Sequence, residues 1–378
     1  MTKNTVSIFI SFLFLMSCNG LNKKSISIEN TSKFDYVDKV ISIPWEGLQA
    51  HYPWVDAENF KIINTKTKLE IPYQMEYRGT NLPVNLLLQI SLKSGEKMKL
   101  TCLQEKPSVF VTKTYGRYVP ERLDDFAWEN DKIAFRMYGK ALEQRPAENA
   151  YGMDVWVKRT DRMVINERYK RGKYHEDLGD GMDYYKVGLT LGAGDCAPFV
   201  NDSVWYSKHY NTWKVLDNGP LRTTFTLDFD AWDVAGTPFT ATKTITLDAG
   251  SQLNKIEVTY KAESDGTISV AVGIIKRPEE GVEWMQKEKG ILGYWEPQHG
   301  EDGITGVGVI IPSKVDEMKL FNEQYLVISE ATLNKPFVYY AGAAWNKAGV
   351  ITTHKQWFDY LEVQAQQLSN NGMVIKFQ

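Results

Sequence analysis

Residues 221–230 read LRTTFTLDFD. Leu221, Thr223, Phe225, Leu227 and Phe229 fall on one side of an extended chain, and Arg222, Thr224, Thr226, Asp228 and Asp230 on the other. A period of two marks a strand with one buried and one wet face, because successive side chains point to opposite sides of a sheet. The period returns in NKIEVTYKAE (254–263), where Ile256, Val258 and Tyr260 alternate with Glu257, Thr259 and Lys261. It returns again in DKIAFRMYG (131–139), where Ile133, Phe135 and Met137 alternate with Ala134, Arg136 and Tyr138. TISVAVGII (267–275) is continuously apolar and suits a strand covered on both faces. Turn residues punctuate these runs, as at Asp265-Gly266.

Helix signals are sparse. Trp357, Tyr360, Leu361, Ala365 and Leu368 have helical spacing, with Thr353 placed to cap the start and Asn370-Asn371-Gly372 to stop the end. The run MVIKF then supplies a closing strand. The pattern predicts an all-β chain of large stacked antiparallel sheets, a β-sandwich or supersandwich, with few helices. A break near Lys106-Pro107 predicts a smaller N-terminal β-sandwich over 35–106 and a large β-sandwich catalytic domain over 107–378.

The chain starts differently. Lys3 precedes an apolar run, Val6 to Met16, that is too short for a membrane span of ~20 residues. It ends at Leu15-Met16-Ser17-Cys18, which resembles a bacterial lipobox. The expectation is a signal peptide over 1–17, lipidation of Cys18 and a polar tether over 18–34. That would make the protein an extracytoplasmic lipoprotein, held to a membrane in the periplasm or at the cell surface. Only Cys102 and Cys196 then remain, enough for one disulfide and too few for a cysteine-rich zinc site. A net charge of −3 argues against general nucleic-acid binding. The 11 Trp and 20 Tyr suit sugar stacking and sheet cores alike.

Chemistry concentrates downstream of residue 157. Lys158, Arg159, Arg162, Arg168, Lys170, Arg171 and Lys173 face only Asp161 and Glu167 in sequence. Such a patch on an acidic chain suits an anionic ligand, such as a carboxylated or sulfated sugar. GKYHEDLGDGMDYYKVGLTLGAG follows at 172–194, mixing a histidine, tyrosines, carboxylates and glycines. Of the five histidines, His175, His209 and His299 stand in polar, loop-like settings, whereas His51 and His354 read as structural. Asp177 to Asp183 has the wrong spacing for a calcium loop, and Gly188, Gly192 and Gly194 do not form a nucleotide-binding fingerprint. Asp124, Asp125, Asp154, Asp177, Asp180 and Asp183 could serve a glycosidase, but no spacing singles out a pair. The sequence requires no cofactor. His175, His299 and nearby carboxylates leave room for a divalent metal ion.

ERLDDFAWENDKIAFRMYG (121–139), YHEDLGDGMDYYKVGLTLGAG (174–194), VLDNGPLRTTF (215–225) and GYWEP (293–297) resemble a particular family. It is a domain-of-unknown-function family of secreted polysaccharide-utilisation proteins that includes the ulvan oligosaccharide dehydratase of marine bacteria. The resemblance covers about residues 35–378. It implies a carbon–oxygen lyase that removes water from the non-reducing-end glucuronate or iduronate of ulvan oligosaccharides, leaving a 4,5-unsaturated uronate. Such a reaction needs a base at C5–H, an acid at the C4 hydroxyl and cations for the carboxylate. The candidates are His175 or His209 for one proton transfer and Tyr184 or Tyr210 for the other. Arg168, Arg171 or Arg222 would hold the carboxylate or sulfate, Trp295 would stack on a sugar ring, and His299 would line the pocket. A polysaccharide lyase acting on uronic-acid polymers and a non-catalytic sugar-binding surface lipoprotein are the alternatives.

Overall fold

The structure, a computed structural model, describes residues 24–263, 265–370 and 372–378. The expected signal peptide, Cys18 and Asn371 lie outside the described residues. The alternating runs do form strands. Arg222–Val234, Thr237–Asp248 and Leu253–Lys261 lie side by side in an antiparallel sheet of eight strands. Register sets Phe225 opposite Ile245, and Ile245 opposite Ile256, so their apolar sides form one inner face. One core joins that face to two five-stranded sheets, represented by Phe126, Phe135 and Val155 in one and by Val270, Val272 and Val327 in the other. Burying each such side chain contributes roughly 1.5–3 kcal/mol.

The all-β reading needs correction. The described residues are mostly β, with several sheets and three α-helices: α1 (Trp45–His51), α2 (Ile165–Arg171) and α3 (His354–Ser369). Helix α3 is a structural layer of its own. Thr353 caps it in a capping box with Gln356, and Trp357 and Leu361 are fully buried on the outer face of the large sheet. Glycines make the room: a Cβ at Gly308 would come within 2.6 Å of Leu361, and one at Gly306 within 2.9 Å of Trp357. A strand-by-strand reading of alternation cannot reveal that a helix covers a sheet face, because the clearance lies in strands far away in sequence.

The N-terminal region also differs from expectation. Its two sheets, of four and three strands, enclose a separate core around Phe60, Leu86 and Leu88. The four-stranded sheet includes Ile26–Asn30, which was expected to lie in a tether. That strand is central, pairing with Lys97–Leu103 on one side and with Met373–Phe377 on the other, and Ile26 and Ile28 are fully buried. The first and last described strands therefore close the same sheet. Cys102 and Cys196 are free and buried in different cores, so the one disulfide the count allowed is not formed.

Candidate functional site

Helix α2 ends at Gly172, whose left-handed φ of 70° turns the chain into the glycine-bearing segment. Most of the basic patch is spent holding that segment in place. Lys158 is buried against Glu129 at 2.6 Å. Arg171 grips Asp180 with two bonds of 2.9 Å. Arg168 is fully buried and donates to the carbonyls of Val157 and Asp180. Arg159 pairs with Asp177. Gly181 then passes so close to the neighbouring strand that a Cβ would lie 2.1 Å from the Val157 carbonyl. These cations are already neutralised inside the protein, so Arg168 and Arg171 are not free to hold a ligand.

Past Gly181, Asp183 turns inward to Arg136. Arg136 Nη2 donates to Asp154 at 2.6 Å and to Asp183 at 3.1 Å, and Nη1 lies 3.5 Å from Asp125. Its guanidinium sits 5.0 Å from the Tyr138 ring and 5.1 Å from the Trp156 ring. One guanidinium cannot fully neutralise three buried carboxylates. Burial pushes Asp125 up to about 7, with Arg136 and Arg122 opposing. Burial also raises Asp154 and Asp183, reinforced at Asp154 by the charge of Asp183 and opposed at both by Arg136. The cluster therefore holds protons near neutral pH.

His175 lies at the edge of this cluster, its side chain 66% exposed. Its Nδ1 is 2.8 Å from the main-chain oxygen of Asp183. A carbonyl only accepts, so Nδ1 carries the proton and Nε2 keeps a free lone pair. His299 is arranged in the same way. Its Nδ1 donates to Asp302 at 2.9 Å, and its ring stacks on Tyr184 with centroids 5.2 Å apart. The Tyr184 hydroxyl is 2.6 Å from Thr305 Oγ1. Burial raises the Tyr184 phenol well above its usual value, against the bond to Thr305, so it stays protonated. Beside it, Arg277 Nε donates to Glu296 at 2.6 Å, and the Arg277 guanidinium lies 4.4 Å from the Tyr185 ring. Burial pushes Glu296 up to about 7, with Arg277 opposing.

Of the residues singled out in the sequence, the structure brings together Tyr184 and His299, while His175 contacts Asp183 at the acidic cluster. It sets the others apart. The His209 side chain is fully buried, bonded to the Ala150 carbonyl and to Glu143. Tyr210 is buried and donates to the main-chain oxygen of Asp124. Neither His209 nor Tyr210 is open to a substrate. Trp295 is 5% exposed within the core beneath α3, so it offers no stacking face. Arg222 holds Asp248 and Glu76 and lines a different cavity. Arg277 and Glu296 escaped the sequence reading. Glu296 does fall within GYWEP, but its partner lies on another strand exit. Among the described residues, no group of three or more His, Cys, Asp or Glu is placed to hold a metal ion.

The fold is shared with two solved bacterial structures. The chain superposes on an alpha-mannosidase from Enterococcus faecalis V583 with a TM-score of 0.53 at 9% identity, covering 94% of this chain and 46% of that one. A glycosyl hydrolase family 38 protein from Enterococcus faecalis gives 0.54 at 10% identity, covering 95% and 48%. The chain thus spans about half the length of these structures. A likeness to glycosidase-type architectures, rather than to a free-standing sandwich, corrects the all-β sandwich reading. The chain itself belongs to the family described as domain of unknown function DUF4861, whose model matches residues 28–374. A relative from Formosa agariphila, described as uncharacterized protein P7, is 28% identical over 364 residues and 91% of each chain.

Proposed function

We propose that the protein is an oligosaccharide dehydratase, removing water from the non-reducing-end uronic acid of ulvan oligosaccharides to give a 4,5-unsaturated uronate. The observation that carries this reading is the Tyr184–His299 pair, a proton-holding phenol stacked on an imidazole whose Nε2 is free. The resemblance read in the sequence supplies the substrate class. The alpha-mannosidase and the glycosyl hydrolase family 38 protein that share the fold support a carbohydrate substrate.

In this reading Nε2 of His299 takes the C5 proton, with Asp302 steadying the imidazolium through Nδ1–H. The electron pair left at C5 forms the C4–C5 double bond and the C4–O bond breaks. Tyr184 gives its proton to the departing hydroxide, which leaves as water. Thr305 orients that phenol. Negative charge grows on the uronate carboxylate as C5–H breaks, and Arg277, whose charge acts on the Tyr184 phenol, is a cation that can offset it. Glu296 only partly neutralises Arg277 near pH 7, because burial keeps that carboxyl partly protonated. His175 offers a second free Nε2 on the same segment.

The test is ultraviolet absorbance during incubation with uronate-terminated ulvan oligosaccharides. A rise with the wild type that Tyr184→Phe suppresses supports the assignment. No rise with the wild type refutes it.

A further inference from the structure

A cavity of about 950 Å³ lies between the strand Tyr36–Pro44, helix α3 and the outer face of the eight-stranded sheet. It shares no lining residue with the site built around Tyr184 and His299. Its walls are polar and carry charges of both signs, with Asp35, Asp38, Glu257 and Asp359 among the carboxylates; Thr244 and Thr246 present hydroxyls from one strand, and Tyr340 presents a ring from another. Arg222 is saturated by Asp248 and Glu76, so its charge is cancelled within the wall.

Lys39, Gln252 and Tyr36 line this cavity, and the Lys39 ammonium, Gln252 Oε1 and the Tyr36 hydroxyl have no hydrogen-bond partner among the described residues. Lys39 makes no ion pair or hydrogen bond through its ammonium among the described residues, although it lines the cavity. Burial lowers its pKa, which Asp248 resists and Arg222 reinforces. Gln252 is 9% exposed, and its buried Oε1 has no hydrogen-bond partner. A buried acceptor without a donor costs roughly 1–3 kcal/mol, and the half-buried Lys39 ammonium has no carboxylate within salt-bridge reach among the described residues. A ligand with a hydroxyl and an anionic group would relieve both Lys39 and Gln252. A sugar ring also has an apolar C–H face to set against Tyr340.

We infer that this cavity is a second binding site for an acidic oligosaccharide, with the anionic group on Lys39 and a sugar hydroxyl on Gln252 Oε1. The choice of an acidic sugar rests on the proposed function, whereas the site itself does not. The anion can be a uronate carboxylate or a sulfate ester, which share the same charge chemistry at Lys39.

Titration calorimetry on the full chain tests this, using Tyr184→Phe to prevent turnover and an ulvan tetrasaccharide as probe. Two ligands per chain are expected, with Lys39→Met weakening one of them at least tenfold and Lys39→Arg retaining it. Gln252→Glu should weaken the same site, since it sets a carboxylate against the anion, and it serves as the second variant if Lys39→Met fails to fold. Desulfated and carboxyl-reduced probes then identify which anion Lys39 holds. A single ligand per chain, or two that survive both substitutions unchanged, overturns the inference. Two-site binding without any elimination by the wild type would remove the proposed function and leave this inference standing. Elimination with only one bound ligand would do the reverse.

Discussion

Tyr184 and His299 face each other ring to ring, 5.2 Å apart and inclined by 27°, although they belong to different loops. Each is held from behind, Tyr184 by Thr305 and His299 by Asp302. A pair fixed in this way can pass protons without reorganising, which is where much of the catalytic advantage of a preformed site lies.

Tyr184→Phe keeps the ring stack and removes only the hydroxyl. Turnover should fall by roughly 10²–10⁴, the usual contribution of a positioned proton donor. The melting temperature should change little, since Thr305 can rebond locally. Steady-state kinetics and thermal melts on the same preparation check both expectations.

His299→Ala and His209→Ala should part company. The first should abolish most turnover with little loss of stability, because His299 is exposed. The second should cost stability, on the order of 1–3 kcal/mol, by stranding a buried hydrogen-bond network, while turnover per folded molecule is kept. Urea melts beside kinetic assays make the comparison. Equal losses of activity would assign His209 a role that its burial does not suggest.

Arg136→Met leaves Asp125, Asp154 and Asp183 buried around an apolar side chain. The expected cost is about 3–5 kcal/mol at neutral pH, as for breaking a buried ion pair. The loss should shrink on acidification, because the carboxyls then take up protons and need no cation. Denaturant unfolding at several pH values would show that recovery.

Glu296 gives a pH signature of its own. Its folded-state pKa lies near 7, above its ordinary 4.5, because of burial. The folded protein therefore holds a proton that the unfolded chain releases earlier. The associated stability is full below about 4.5 and is lost as pH rises through about 7, by at most about 3 kcal/mol. Glu296→Gln removes that titration, so its melting temperature should fall less between pH 5 and 8 than that of the wild type.

Much of this fold was readable because strand alternation and helix capping are local. LRTTFTLDFD and Thr353 each announce their structure within a few residues. Ile26 and Ile28 show how the reading fails, since a five-residue alternation is easily hidden among lysines, serines and asparagines. The acidic cluster failed for another reason. Asp125, Asp154 and Asp183 were visible as carboxylates, but their meeting point depends on register: Asp154 pairs with Arg136 across strands, and Arg136 pairs with Ala127, two residues from Asp125. Register is a tertiary property, set by packing of both faces, and a single sequence does not expose it. The basic patch misled for a different reason: Asp177 and Asp180 follow it closely in sequence, and only the turn after α2 folds them back onto Arg159 and Arg171.

The most direct test of the account is the mass of the product formed from a uronate-terminated ulvan oligosaccharide. The account predicts a product lighter by one water and unchanged in chain length. Shorter fragments, or substrate recovered intact, would contradict it.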